Sequence, residues 1–270
     1  MSGLRLTDQI GQSIALNEHP KQIVSLVPSI TYLLYKLGLD EEVSGITRFC
    51  KLPAHWKKQK SIVGGTKQVK YDRIAQLNPG IILANKEENT KEMVDKLLQI
   101  APVYVSDVKN LDDNAQFITD LGKIFQKEDM AKKLIQDIRQ AEMRLNPTKR
   151  LKAAYFIWKK PWMTIGGDTF ISKMMQLAGF DNVFAGKKRY PVVDMKQLED
   201  ANPALILLSS EPYPFKEIEQ KELQMQFPNA CVLLVEGEPF TWFGAYPLEA
   251  FAYFQSLQNQ LNLCIPKKKS

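Results

Sequence analysis

Asn78-Pro79-Gly80-Ile81-Ile82-Leu83 returns later in the chain as Asn202-Pro203-Ala204-Leu205-Ile206-Leu207, and the fold is read outward from this repeated phrase. A short amphipathic run precedes each copy. Asp72, Ile74 and Leu77 stand in the first where Lys196, Leu198 and Ala201 stand in the second. Apolar residues at i, i+3 predict a helix face, the Asn-Pro pair predicts its end, and the aliphatic run that follows predicts a buried strand. One helix-turn-strand unit used twice predicts two lobes on similar plans, with a ligand cleft between them.

The first lobe is expected over residues 1–111. Ile23 to Val27 predicts a strand, followed by a turn at Pro28-Ser29 and a helix from about Ile30 to Gly38, with the Ser29 hydroxyl as its cap. A turn from a parallel strand into a helix is where such sheets meet ligands, so Pro28 and Ser29 are candidate contacts; a plain turn and cap is the structural alternative. Val43 to Thr47 predicts a second strand that delivers Arg48, Phe49 and Cys50. An aromatic there either packs in the core or lies against a planar ligand. Ile62 to Thr66 predicts a strand running into the Gly64-Gly65 turn, which lacks a phosphate-loop pattern.

Residues 112–146 are expected to bridge the lobes. Phe117, Leu121, Ile124, Ala131, Leu134, Ile138 and Ala141 recur near helical spacing without an intervening proline. A single long helix of about 50 Å follows, capped by Asp112 or Asp113, with Gly122 and Lys127-Glu128-Asp129 as places where it would divide in two.

The second lobe is expected over residues 147–270. Strand Leu151 to Trp158 leads into a loop with Trp162, Met163 and Gly166-Gly167, and Asp168 or Thr169 caps the helix Phe170 to Ala178. Lys187-Lys188-Arg189-Tyr190 forms a basic and aromatic loop. Strand Cys231 to Val235 opens into a stretch with Phe240, Thr241, Trp242, Phe243 and Tyr246, and helix Leu248 to Leu261 precedes a tail, Lys267 to Ser270, expected to be disordered. Aromatics gathered in Pro- and Gly-containing loops read either as core or as the wall of a pocket.

Composition is that of a globular chain of 270 residues, 44% hydrophobic and 24% charged. The net charge of +6 comes in short runs, and no nucleic-acid recognition module accompanies it. Cys50, Cys231 and Cys264 have no metal-ligand spacing. Met1 to Asp8 lacks a signal-peptide core and no segment predicts a membrane span, which leaves a cytoplasmic protein or one whose export signal is missing from this sequence. His19 and His55 have no acid at motif spacing, and neither a nucleophile elbow nor a nucleotide-binding glycine pattern occurs. The expectation is therefore a protein that is not an enzyme.

IVSLVPSITYLLYKLG (Ile23 to Gly38), VSGITRFC (Val43 to Cys50), YDRIAQLNPGIILA, LAGFDNVF (Leu177 to Phe184) and Thr241-Trp242-Phe243-Gly244 together resemble one known family. It is that of the periplasmic vitamin B12-binding proteins and, more widely, the substrate-binding proteins of iron-siderophore, haem and cobalamin importers. The resemblance covers about residues 10–262. It implies two Rossmann-like α/β lobes with mostly parallel sheets and a ligand held in the cleft. Its implied contacts are Pro28, Ser29, Phe49, Gly65, Trp162, Met163, Tyr190, Thr241, Trp242 and Phe243; where the B12 binders carry an acid and an arginine, this chain has Thr241 and Ala245. No covalent cofactor is implied. The implied ligands are cobalamin or another corrinoid first, haem or a ferric siderophore next. The implied partners are the permease subunits of an ABC importer, met by a monomer through one carboxylate per lobe: Asp72 matches the first position, and Lys196 occupies the second, with Glu199 a turn further on. The alternative reading is a cytoplasmic enzyme or metabolite-handling protein on the same fold, using Asp168, Glu236 or Glu238.

Overall fold

The two Asn-Pro phrases fold alike. Asn78 and Asn202, which follow helices Tyr71–Gln76 and Met195–Ala201, both sit at φ 45°. This left-handed conformation suits asparagine better than most residues, and the proline after it bars any further helical turn. Strands Ile81–Asn85 and Leu205–Ser209 then run buried at every position, as strands covered on both faces do.

The computed structural model describes residues 3–147 and 150–264; the tail Lys267 to Ser270 lies outside the described residues. By packing, the chain forms two units, Met1–Ile138 with Trp242–Tyr246, and Arg139–Thr241 with Pro247–Ser270.

The first unit opens with an antiparallel pair that periodicity did not predict, β1 (Leu4–Thr7) and β2 (Ser13–Leu16). Asp8 holds its turn. One carboxylate oxygen accepts the N–H groups of Ile10 and Gln12, and the other accepts that of Val105. There follow β3 (Ile23–Ser25), α1 (Pro28–Lys36), β4 (Val43–Ile46), α2 (Trp56–Gln59), β5 (Ser61–Ile62), α3 (Tyr71–Gln76), β6 (Ile81–Asn85), α4 (Lys91–Leu97) and β7 (Val103–Ser106). The five strands β3 to β7 form a parallel sheet in the order β5-β4-β3-β6-β7. The chain lays strands to one side of β3, then reverses and lays β6 and β7 on the other. At such a switch point, adjacent loops diverge and leave room for a ligand beyond the strands' carboxyl ends.

Residues 112–146 differ from the expected single rod. They form two helices, α5 (Leu111–Phe125) and α6 (Glu128–Met143), divided at Gln126, which is left-handed at φ 54°. Asn110 caps α5 by accepting the N–H groups of Asp112 and Asp113, the residues expected to cap it themselves. Gly122 makes the corner possible, because a Cβ placed on it would lie 2.7 Å from the Ala131 Cβ.

The second unit contains β8 (Leu151–Trp158), β9 (Met163–Thr164), α7 (Phe170–Leu177), β10 (Phe180–Asn182), α8 (Met195–Ala201), β11 (Leu205–Ser209), α9 (Glu217–Gln226), β12 (Cys231–Val235), α10 (Glu238–Thr241) and α11 (Pro247–Cys264). Its parallel strands run in the order β10-β8-β11-β12, with β9 antiparallel to β8. The reversal falls between β8 and β11, the plan of the first unit over again. Edge strand β12 is clasped by α9, whose Gln220 and Gln224 side chains bond the backbone at Val232 and Ala230 and so blunt an exposed edge.

Candidate functional site

In the first unit Pro28 and Ser29 follow β3, Phe49 follows β4 and Gly65 follows β5, all on the carboxyl side of their strands, and Phe49 and Gly65 are neighbours. Pro28 is the first residue of α1, where its missing N–H costs nothing. Ser29 lies inside the helix and is 3% exposed; the N-cap is Val27, which has no side-chain oxygen, so the expected serine cap is not formed. Phe49 follows β4 and is 48% exposed, with the Arg48 guanidinium 4.9 Å from its ring centre. Gly65 lies behind that ring, since a Cβ there would come within 3.0 Å of Phe49 Cε2. Below the turn, Thr31 and Thr47 hydroxyls meet the Cys50 sulfur at 3.1 and 3.3 Å, and Thr31 donates to Ser25. Burial pushes the Cys50 thiol up, away from the reactive thiolate.

Trp242 and Phe243 belong to the first unit and are each 6% exposed. Phe243 packs edge-on against Phe117 and Trp242 against Tyr246, which meets Tyr32 of α1. Gly244, at φ 79°, exchanges two backbone hydrogen bonds with the Asn114 side chain. The segment read as an aromatic contact loop is thus seated in the packing of this unit.

The sequence reading missed a charged group beside the switch point. Lys86 follows β6 and Asp107 follows β7; Lys86 and Lys109 both bond the same Asp107 oxygen, at 2.7 and 3.0 Å. Burial opposes the Asp107 charge, but the two ammonium groups outweigh it and hold the carboxyl below its usual range. The signal available was a charged residue directly after each of two neighbouring apolar strands.

In the second unit Gly166 and Gly167 let two backbones meet. A Cβ on either would lie within 2.4 Å of the carbonyls of Lys187 or Ala185, and Gly166 N–H bonds the Arg189 carbonyl at 2.7 Å. This zips the basic loop onto the strand end and carries half-buried Tyr190, whose ring lies below the Arg189 guanidinium. Trp162 is turned inward, edge-on to Phe156 and stacked with Phe215, while Met163 pairs with Trp158 across β8 and β9. Lys159 lies near the Trp162 ring and bonds Glu222 and Glu219. Thr241 donates to Glu211 at 2.9 Å, and Thr169, not Asp168, caps α7. Asp168 instead accepts the Arg189 N–H, and Glu238 stands in the first turn of α10, so both have structural work.

Asp72 and Lys196 occupy the same place in the repeated unit, the second residue of α3 and of α8. Asp72 suits the positive end of its helix; Lys196 does not. Lys196 bonds Asp200 at 3.0 Å and Glu199 at 3.3 Å, and those bonds raise its pKa.

A family model described as periplasmic binding protein matches residues 23–229. The chain belongs to the periplasmic binding protein family. This family is one of non-catalytic proteins that bind substrates for ABC transport. Among curated relatives of this family member, the vitamin B12-binding protein of Vibrio parahaemolyticus is 26% identical over 199 residues, 72% of each chain. The vitamin B12-binding protein of Pectobacterium carotovorum is 25% identical over 93% of this chain and 92% of its own. Among solved structures, the periplasmic vitamin B12 binding protein of Vibrio cholerae aligns with a TM-score of 0.75 at 20% identity, over 90% of this chain and 98% of that one. The periplasmic haem binding protein of the same organism gives 0.75 at 19%, over 90% and 99%. Among the described residues no group of three or more potential His, Cys, Asp or Glu metal ligands occurs, and no helix is long and apolar enough to cross a membrane.

Proposed function

We propose that the chain is the substrate-binding component of an ATP-driven importer for a large metal chelate, a corrinoid first, with haem or a ferric siderophore next. It acts as a monomer outside the cytoplasmic membrane and hands its cargo to the permease subunits. The observation that carries this reading is the exposed Phe49 ring at the carboxyl end of β4, backed by Gly65 and flanked by Arg48. A flat aromatic in such a place offers a large contact area with little conformational freedom to lose. The curated vitamin B12-binding relatives support the order of ligands. Asp72 is the proposed docking carboxylate of the first unit, and Glu199 that of the second, with Lys196 beside it as a partial neutraliser.

Titration of the purified chain with cyanocobalamin, hemin and ferrioxamine B, followed by absorption, tests the proposal. One of the three is expected to bind, and Phe49→Ala is expected to weaken it about tenfold, the loss of one aromatic contact. Absence of binding to all three sinks the reading.

A further inference from the structure

Strand β2 pairs with β1 on one side and with no strand on the other. The Asp8 N–H bonds the Gln12 carbonyl at 2.9 Å, and this fixes which residues bond across the hairpin. Bonded pairs alternate with unbonded ones, so Leu6 with Ile14 and Leu4 with Leu16 carry the ladder, while Ser13 and Ala15 turn their N–H and C=O groups outward. Both residues are exposed. A groove of about 330 Å³ runs along this edge, and its other wall is the turn from Leu98 to Pro102 between α4 and β7. The four consecutive residues Gln12 to Ala15 line it. Successive strand side chains point to opposite faces, so a groove lined by an unbroken run meets the edge of the strand and not one face. Of the other lining residues, Ala101 and Val103 are buried and Leu98 is 40% exposed, and no charged residue lines the groove. Among the described residues the side chains of Gln12 and Gln99 have no hydrogen-bond partner. Further along β7 the outward N–H groups of Val105 and Asp107 are taken by the Asp8 and Gln9 side chains, so that edge is closed where β2 is open.

We propose that this groove is a docking site for an extended, uncharged peptide segment of a partner protein, which adds to β2 as a third strand. The groove lies at the amino end of β7, away from the loops that follow the strands' carboxyl ends, so its occupant is separate from the transported chelate. The outward groups of Ser13 and Ala15 form a ladder of donors and acceptors that an extended backbone matches along its length. At about 3.3 Å per residue, the edge from Gln12 to Ala15 receives a segment of about four residues. Alternate side chains of that segment rest on Leu98, Ile100 and Pro102. The amides of Gln12 and Gln99 reach its backbone, as those of Gln220 and Gln224 reach the backbone of β12. A charged segment would lose hydration there and meet no opposite charge.

The test follows the backbone amide signals of the full chain by NMR during titration with the end-blocked peptide Thr-Val-Thr-Val-Thr. Saturable shifts at Ser13, Ala15 and Gln99 are expected. Ala15→Pro removes an outward N–H that β1 does not use, and Leu98→Asp sets a charge in the wall at an exposed position; each is expected to weaken peptide binding about tenfold. Folding is checked by circular dichroism, and should Ala15→Pro fail to fold, Leu98→Asp decides. Binding of equal strength by the folded variants, or no shift with the peptide at millimolar concentration, overturns the inference. So do the same shifts on raising the protein concentration without peptide, together with a dimer in sedimentation velocity, which would give the edge to a second copy of the chain. Each of these results leaves the transport function standing, since that function is tested by chelate binding alone.

Discussion

Asn114 is 1% exposed and donates to the Gly244 carbonyl at 3.0 Å while accepting the Gly244 N–H at 2.6 Å. Asn114→Ala leaves both backbone groups buried without their partner, which costs about 2–4 kcal/mol. The expected outcome is a lower urea midpoint with an unchanged slope, measured by equilibrium unfolding. The Thr241 to Gly244 motif was legible as a feature of the sequence, but its role was not. Periodicity reports which side of an element is buried; it says nothing of an amide that serves a glycine 130 residues away. That Phe49 follows a strand was legible for the opposite reason, since the apolar run just before it is a local signal.

At the scale of elements, the corner between α5 and α6 depends on Gly122. Gly122→Val would force its side chain into Ala131 and is expected to destabilise the fold by about 1–3 kcal/mol, read as a drop in thermal midpoint. The apolar spacing continues through the corner, from Ile124 to Ala131 and Leu134, because both helices bury that face. One left-handed residue at Gln126 breaks the backbone without breaking the pattern, so a continuous helix was the natural reading. The helix-turn-strand repeats were read correctly because their signals are local: a proline, an asparagine and an unbroken aliphatic run. The β1 and β2 pair and α9 lacked such signals. Their strands are only four residues long, and α9 is mostly polar, with just Glu219 and Leu223 buried.

Across the whole molecule, two acid groups set an expected response to pH. Burial opposes the charge of both Asp107 and Glu219. Lys86 and Lys109 hold the first below its usual range; backbone N–H groups and Lys159 hold the second. A carboxyl whose folded pKa lies below its unfolded value stabilises the fold above that unfolded value, and the stability is lost as pH falls through the folded one. The chain is therefore expected to hold its stability near neutrality and to lose it as pH drops below about 4, with Asp107→Asn flattening part of that slope in unfolding curves taken from pH 6 to pH 3.

Synthesis runs in one direction, and this gives the segment Trp242–Tyr246 a role in timing. Residues 3–138 leave the ribosome long before it, yet Phe243 packs on Phe117, Tyr246 meets Tyr32, and Gly244 lies against Leu33 and bonds Asn114. Until they emerge, the nascent first unit carries an apolar slot and an unmet amide, the kind of surface that chaperones hold and neighbouring chains misuse. A gene cut to encode residues 1–138 would stay in that unfinished condition, so the portion made first is among the last to be completed.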